Sequence, residues 1–156
     1  MPTLTAVQTS AIEIYDTTLR DGAQAEDVSF SVEDKVRVAQ QLDELGVQFI
    51  EGGWPGANPK DIEFFQKVRT IPFQHATIVA FGSTRKASNS VRKDKNLQAL
   101  LASETRTITL FGKSWSFQVT DALGISLAKN LDLIEDSIHY LRSNDRRVFY
   151  DAEHFF

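Results

Sequence analysis

Arg20, Asp21, Gly22 and Gln24 follow directly on the run Ile12-Glu13-Ile14-Tyr15-Asp16, whose alternating apolar positions read as a strand. A loop that sets a guanidinium, a carboxylate and a glycine at a strand's end can hold a divalent cation and steady an anionic oxygen beside it. Asp21 is the expected metal ligand, because a hard carboxylate suits magnesium or manganese and also binds zinc. Arg20 can donate to a keto or enolate oxygen, and Gln24 can bind a substrate carboxylate or carbonyl. Each also has a plainer role: aspartates after strands cap turns, and arginines form structural ion pairs.

Two stretches repeat the arrangement of an apolar strand leading into a glycine-bearing polar loop, Phe49 to Gly56 and Ile78 to Arg85. Asp16 and Glu51 end their strands, where a buried carboxylate requires a partner, and Arg20, Arg85 and Lys113 are available. Glu51, Arg85 and Lys113 are therefore substrate-binding candidates alongside Arg20 and Gln24, with ion pairing or a solvated loop as the alternatives. Trp54 either lines the pocket or covers the sheet end. In Asp151-Ala152-Glu153-His154, Glu153 is the acid/base candidate; a lone histidine such as His154 is more often structural. His75 precedes the third strand, at the wrong end of the sheet for chemistry, and His139 falls in a helix. No His-x-His pair exists, so a full ligand set is missing.

The elements that must position these groups alternate. Strands are expected at Ile12–Asp16, Val47–Glu51, Ala76–Phe81, Thr107–Phe111 and Val148–Asp151. Ser31 with Asp34 has capping-box spacing before a helix with Val32, Val36, Ala39, Leu42 and Leu45 at helical intervals, and Gly46 is its stop. Asn58-Pro59 opens a second helix with Ile62, Phe65 and Val68 on its apolar side. A third runs from about Asp94 to Ala102, and the longest lies between Ala122 and Leu141, with Leu127, Leu131, Ile134, Ile138 and Leu141 spaced for burial.

Successive strand–helix units imply a parallel sheet with helices outside it, either an open doubly wound sheet or part of an eight-stranded barrel. The chain lacks G-x-G-x-x-G and G-x-x-x-x-G-K-[ST]. Polar groups gather instead after each strand, as at a barrel's C-terminal mouth. The expected fold is α/β, a partial TIM (β/α)8 barrel of roughly the first five parallel strands with four helices. Residues 1–10 would be a tail, and 11–156 the N-terminal part of a catalytic barrel that stops after the fifth strand. Five strands do not close such a barrel, and an exposed Phe155-Phe156 ending fits a fragment; a small self-contained domain or a self-associating half-barrel is the alternative.

A chain of 156 residues that is 42% hydrophobic suffices for one domain with a core. Acidic residues outnumber basic ones, 21 to 17, so the net charge of −4 argues against nucleic acid as a partner. The absence of cysteine excludes disulfides, thiolate zinc sites and cysteine nucleophiles. With no secretory start and no apolar window of spanning length, a soluble cytoplasmic protein without membrane partners is expected.

The run Asp16-Thr17-Thr18-Leu19-Arg20-Asp21-Gly22-Ala23-Gln24 resembles the N-terminal signature of the isopropylmalate, homocitrate and citramalate synthases. These share a metal-dependent barrel with hydroxymethylglutaryl-CoA lyase. The loops after Glu51, Phe81, Phe111 and Tyr150 look most like the bacterial citramalate synthase branch, and the likeness extends over essentially everything after Ser10. It implies condensation of acetyl-CoA with pyruvate, a divalent metal (Mg, Mn or Zn) held in part by Asp21, an enolate-stabilising Arg20, an active-site Glu153, and a homodimer for the full-length protein. The family's His-x-His ligands, later strands and regulatory domain lie beyond the last residue here. An aldol-cleaving lyase on the same barrel is a competing class.

Overall fold

The computed structural model describes residues 12–156; the expected tail, 1–10, lies outside them. Five parallel strands, β1 (Tyr15–Asp16), β2 (Phe49–Gly53), β3 (Thr77–Ser83), β4 (Thr107–Lys113) and β5 (Arg147–Glu153), form one sheet in chain order. Four helices intervene, α1 (Val32–Glu44), α2 (Pro59–Val68), α3 (Lys95–Ala102) and α4 (Leu127–Ser143). The sheet is curled. In a flat sheet β1 and β5 would lie roughly 19 Å apart, four spacings of about 4.8 Å. Instead the rings of Tyr15 and Phe149, on those two strands, meet edge-on at 5.8 Å between centroids. This is a partial (β/α) barrel, as the alternation and the polar strand ends together predict.

Local chemistry sets the helix starts. Ser31 and Asp34 make the reciprocal capping box, Asn58 caps α2 with Pro59 at its first position, Asp94 accepts from the backbone of Asn96 and Leu97, and Ser126 accepts from Lys129. At the far end of α1, Gly46 takes φ +87°, a backbone region that costs a side-chain-bearing residue energy. The buried Asp43 accepts backbone hydrogen bonds from Gln74, His75 and Ala76 at 2.8, 2.8 and 2.6 Å and so fixes the approach to β3. Burial pushes its carboxyl up, but the three N–H donors outweigh that and hold it below the usual range.

Alternate strand residues face outward into a layer of Ile50, Ala80, Ile108 and Leu110, packed under Phe64, Phe65, Leu97, Leu100 and Leu141. The remaining strand residues line the trough of the curl. Three helices differ from the periodicity. In α2, Phe64 is buried and Ile62 exposed; at the C-cap of α1, Leu45 is exposed. In α4, Leu127 and Leu131 face solvent, while Asn130, Leu133, Ser137 and Leu141 are buried. Asn130 donates to the Lys113 carbonyl at 2.9 Å, and the Ser137 hydroxyl accepts from the Arg85 N–H at 2.9 Å. The inner face of α4 thus satisfies backbone groups at the ends of β3 and β4, a polar task that an apolar pattern does not reveal. That helix starts at Leu127 rather than near Ala122, because Gln118–Ala122 forms a short π-turn. No helix among the described residues is long and apolar enough to cross a membrane.

Candidate functional site

At the C-terminal end of β1 the chain folds back tightly: the N–H groups of Arg20, Asp21 and Gly22 all point to the Thr17 carbonyl, at 3.1, 2.8 and 3.2 Å. Asp16 accepts from the Thr18 N–H and stays local rather than reaching into the mouth. This turn swings Arg20 over the trough. Its guanidinium lies 3.9 Å from the Phe81 ring centre, its Nε donates to Glu51 Oε1 at 2.5 Å, and one terminal nitrogen donates to Asp21 Oδ1 at 3.0 Å. The other terminal nitrogen has no hydrogen-bond partner among the described residues and is free to meet a ligand.

Glu51 is buried with both oxygens in use. Oε2 accepts from the Tyr15 hydroxyl at 2.5 Å, and the Tyr15 oxygen lies 2.6 Å from the Thr109 hydroxyl. Tyr15 has a single proton, given to Glu51, so Thr109 is the donor in the second bond. Burial pushes the Glu51 carboxyl above its usual range, with a smaller like-charge push from Asp151, although Tyr15 and Arg20 both act to lower it. Burial likewise raises the Tyr15 hydroxyl, with Glu51 adding to the effect.

The other candidates are distributed as follows. Lys113 and Glu153, paired across the parallel register of β4 and β5, form an ion pair at the mouth, and His154 stands beside Glu153 at 3.9 Å. Gln24 sits in a short 3₁₀ turn and lines a cavity of about 230 Å³ with Arg20, Trp54 and Lys60. Arg85 is buried and spends its fork on Asp136 of α4, at 2.5 and 3.1 Å, and on the Asn89 carbonyl at 2.9 Å. It braces α4 against β3. Trp54 covers the sheet end: its indole donates to Asn96 at 2.7 Å and its ring stands edge-on to Phe81 and Phe111. Beneath it, Gly53 holds φ +145°, and a Cβ there would fall 2.3 Å from the Asp61 carboxyl.

Asp21 is largely exposed and offers one oxygen not engaged by Arg20. Among the described residues no group of three or more His, Asp or Glu side chains gathers to hold an ion. A catalytic centre takes about three protein ligands, so the described residues do not build a metal site by themselves.

Tyr15 and Thr109 were not among the residues singled out from the sequence. The available signal was parity: Tyr15 sits one residue before the strand's end, on a face that alternation turns inward, and a buried tyrosine hydroxyl needs a partner.

The architecture defines part of a (β/α) barrel whose strands end in a polar C-terminal mouth. The chain belongs to the HMGL-like family, which it matches over residues 11–156. It is 56% identical over 147 residues to the (R)-citramalate synthase of Geobacter sulfurreducens, a match covering 94% of this chain and 28% of that protein. It is 32% identical over 142 residues to the 2-isopropylmalate synthase of Solidesulfovibrio magneticus, covering 91% and 27%. The resemblance read from Asp16 to Gln24 is borne out at the level of the family, and the chain spans little more than a quarter of these relatives' length. In three dimensions it superposes on the crystal structure of the Bacillus subtilis HMG-CoA lyase with a TM-score of 0.68 at 17% identity, covering 89% of this chain and 45% of that one. At that identity the likeness is one of fold.

Proposed function

We propose that residues 11–156 are the N-terminal part of the catalytic barrel of a cytoplasmic acyltransferase that condenses acetyl-CoA with pyruvate and water to give (R)-citramalate and CoA. The observation that carries this reading is the sequence likeness to a citramalate synthase, well above that to an isopropylmalate synthase. The Arg20–Glu51 pair supports it physically, because a charged donor held rigid over an aromatic ring suits an oxygen that becomes an alkoxide.

In the proposed reaction a methyl proton leaves acetyl-CoA, the resulting enolate bonds to C2 of pyruvate, and the keto oxygen takes up the negative charge and then a proton. Water cleaves the thioester and CoA departs. Arg20 binds the keto oxygen through its free terminal nitrogen. Gln24 and Lys113 contact carboxylate or carbonyl groups of the substrates, and Glu51 acts through Arg20 because both its oxygens are already bonded. Glu153, poised by Lys113, is the proposed acid/base group. Asp21 would contribute one ligand to a divalent cation (Mg, Mn or Zn) whose other ligands lie outside residues 12–156; bound there, such an ion polarises a keto group. A homodimer of the full-length protein belongs to the same reading.

The test is steady-state kinetics of the full-length protein with acetyl-CoA, following CoA release. The specificity constant for pyruvate should exceed those for 2-ketoisovalerate and 2-ketoglutarate by about tenfold or more, at least the scale on which a pocket resolves a single extra carbon. Preference for either bulkier acid would replace this reading with an isopropylmalate or homocitrate synthase.

A further inference from the structure

The hydrogen bonds Thr109 to Tyr15, Tyr15 to Glu51 and Arg20 to Glu51 run in an unbroken line across the trough from β4, through β1 and β2, to the loop after β1. Arg20 is the only member with a donor left over. The others have committed their hydrogen-bonding groups to one another, so the line ends on the guanidinium. From this geometry we infer that Tyr15 is a positioning residue: it locks the Glu51 carboxylate in the one orientation that presents Arg20 to the keto oxygen. This rests on the function proposed above and adds a residue to it.

Glu51 has a carboxylate plane that can rotate about its last side-chain bond. Arg20 fixes one oxygen and Tyr15 the other, and with only one held the plane is free to turn. The Tyr15 ring, meanwhile, is fixed independently of its hydroxyl. It stacks on Phe49 with centroids 6.2 Å apart and meets Phe149 edge-on at 5.8 Å. Tyr15→Phe therefore removes the oxygen and keeps the packing. The charged or titrating groups acting on Glu51 are Tyr15 from β1, Arg20 from the following loop and Asp151 from β5, while the neutral Thr109 of β4 meets the Tyr15 hydroxyl.

The experiment is a double-mutant cycle in the full-length protein with Tyr15→Phe, Glu51→Gln and the pair. Tyr15→Phe should lower kcat about tenfold, the scale of one charge-assisted hydrogen bond, with the KM for acetyl-CoA changed less than twofold. Combined with Glu51→Gln it should add nothing further, because its effect passes through Glu51. The pH profile gives a second readout. Tyr15's hydrogen bond favours the charged carboxylate, so losing it raises the Glu51 carboxyl further, and the acid limb of kcat/KM should move to higher pH. Solvent exchange of the Arg20 Nε–H, followed by NMR, needs no turnover and should quicken about tenfold in Tyr15→Phe. Fully multiplicative kcat losses, an unmoved acid limb or unchanged exchange would each overturn the positioning role. Loss of turnover with every 2-keto acid in the unmutated protein would instead overturn the proposed reaction, leaving the exchange measurement to decide the role of Tyr15.

Discussion

Replacing Arg20 with lysine should lower kcat/KM for the condensation by about 10²–10³-fold in the full-length protein, the loss typical of removing one well-placed donor from a developing oxyanion. Charge is conserved in this exchange, so the effect isolates geometry. Arg20 uses Nε on Glu51, one terminal nitrogen on Asp21, and the face of its guanidinium on Phe81. An ammonium is a point charge without a planar fork. It can reach Glu51 or a substrate oxygen, but cannot hold the first while presenting a fixed donor to the second. Arg20 is only partly buried and Leu19 anchors the turn in the core, so the fold should persist. Kinetics together with an unfolding midpoint within about 2 °C of the parent, at most about 1 kcal/mol, would establish the separation. A variant within threefold of the parent in kcat/KM would remove Arg20 from the chemistry.

The second large effect concerns stability. Lys35 and Asp61 form an ion pair at 2.5 Å in which both side chains are over nine-tenths buried, and Asp61 also accepts the Trp54 N–H at 2.8 Å. Asp61→Asn keeps the shape and an acceptor for Trp54 but leaves the ammonium buried with no counter-charge. Breaking a buried pair from one side costs about 3–5 kcal/mol. In calorimetry the barrel transition should therefore fall by about 10 °C, taking about 2–4 °C per kcal/mol for a domain this size. Adding Lys35→Met should recover most of the loss, since it removes the stranded charge and fills the space beside Phe64, whose ring centre lies 5.1 Å from Lys35 Nζ. No recovery would mean that the pair matters for its shape rather than its charge. Because Gly53 approaches Asp61 so closely, this pair also holds the β2 end that carries Glu51.

Much of the fold was legible because strand and helix periods differ and their caps have fixed chemistry. Ser31 with Asp34, and Asn58 with Pro59, marked helix starts that the structure reproduces. Which side of a helix turns inward was less legible. Leu127 and Leu131 have the spacing of a core stripe, yet α4 buries Asn130 and Ser137 because backbone groups at the strand ends need partners there. Phe64 was missed for the reverse reason: adjacent phenylalanines cannot both lie on a narrow stripe, but α2 packs broadly enough to bury Phe64 and Phe65 together. At the mouth, the residue types were readable and their pairings were not. Arg20, Arg85 and Lys113 were interchangeable cations in the sequence. The folded chain gives them Glu51, Asp136 and Glu153, and the choice of partner depends on contacts between residues distant in sequence.

The most direct test of the account is a crystal structure of the full-length protein with pyruvate bound. The keto oxygen should lie about 3 Å from a terminal nitrogen of Arg20, with Arg20 still bonded to Glu51 and the ligand seated between the ends of β1 and β5. Pyruvate bound out of reach of that guanidinium, or at the opposite end of the strands, would contradict it.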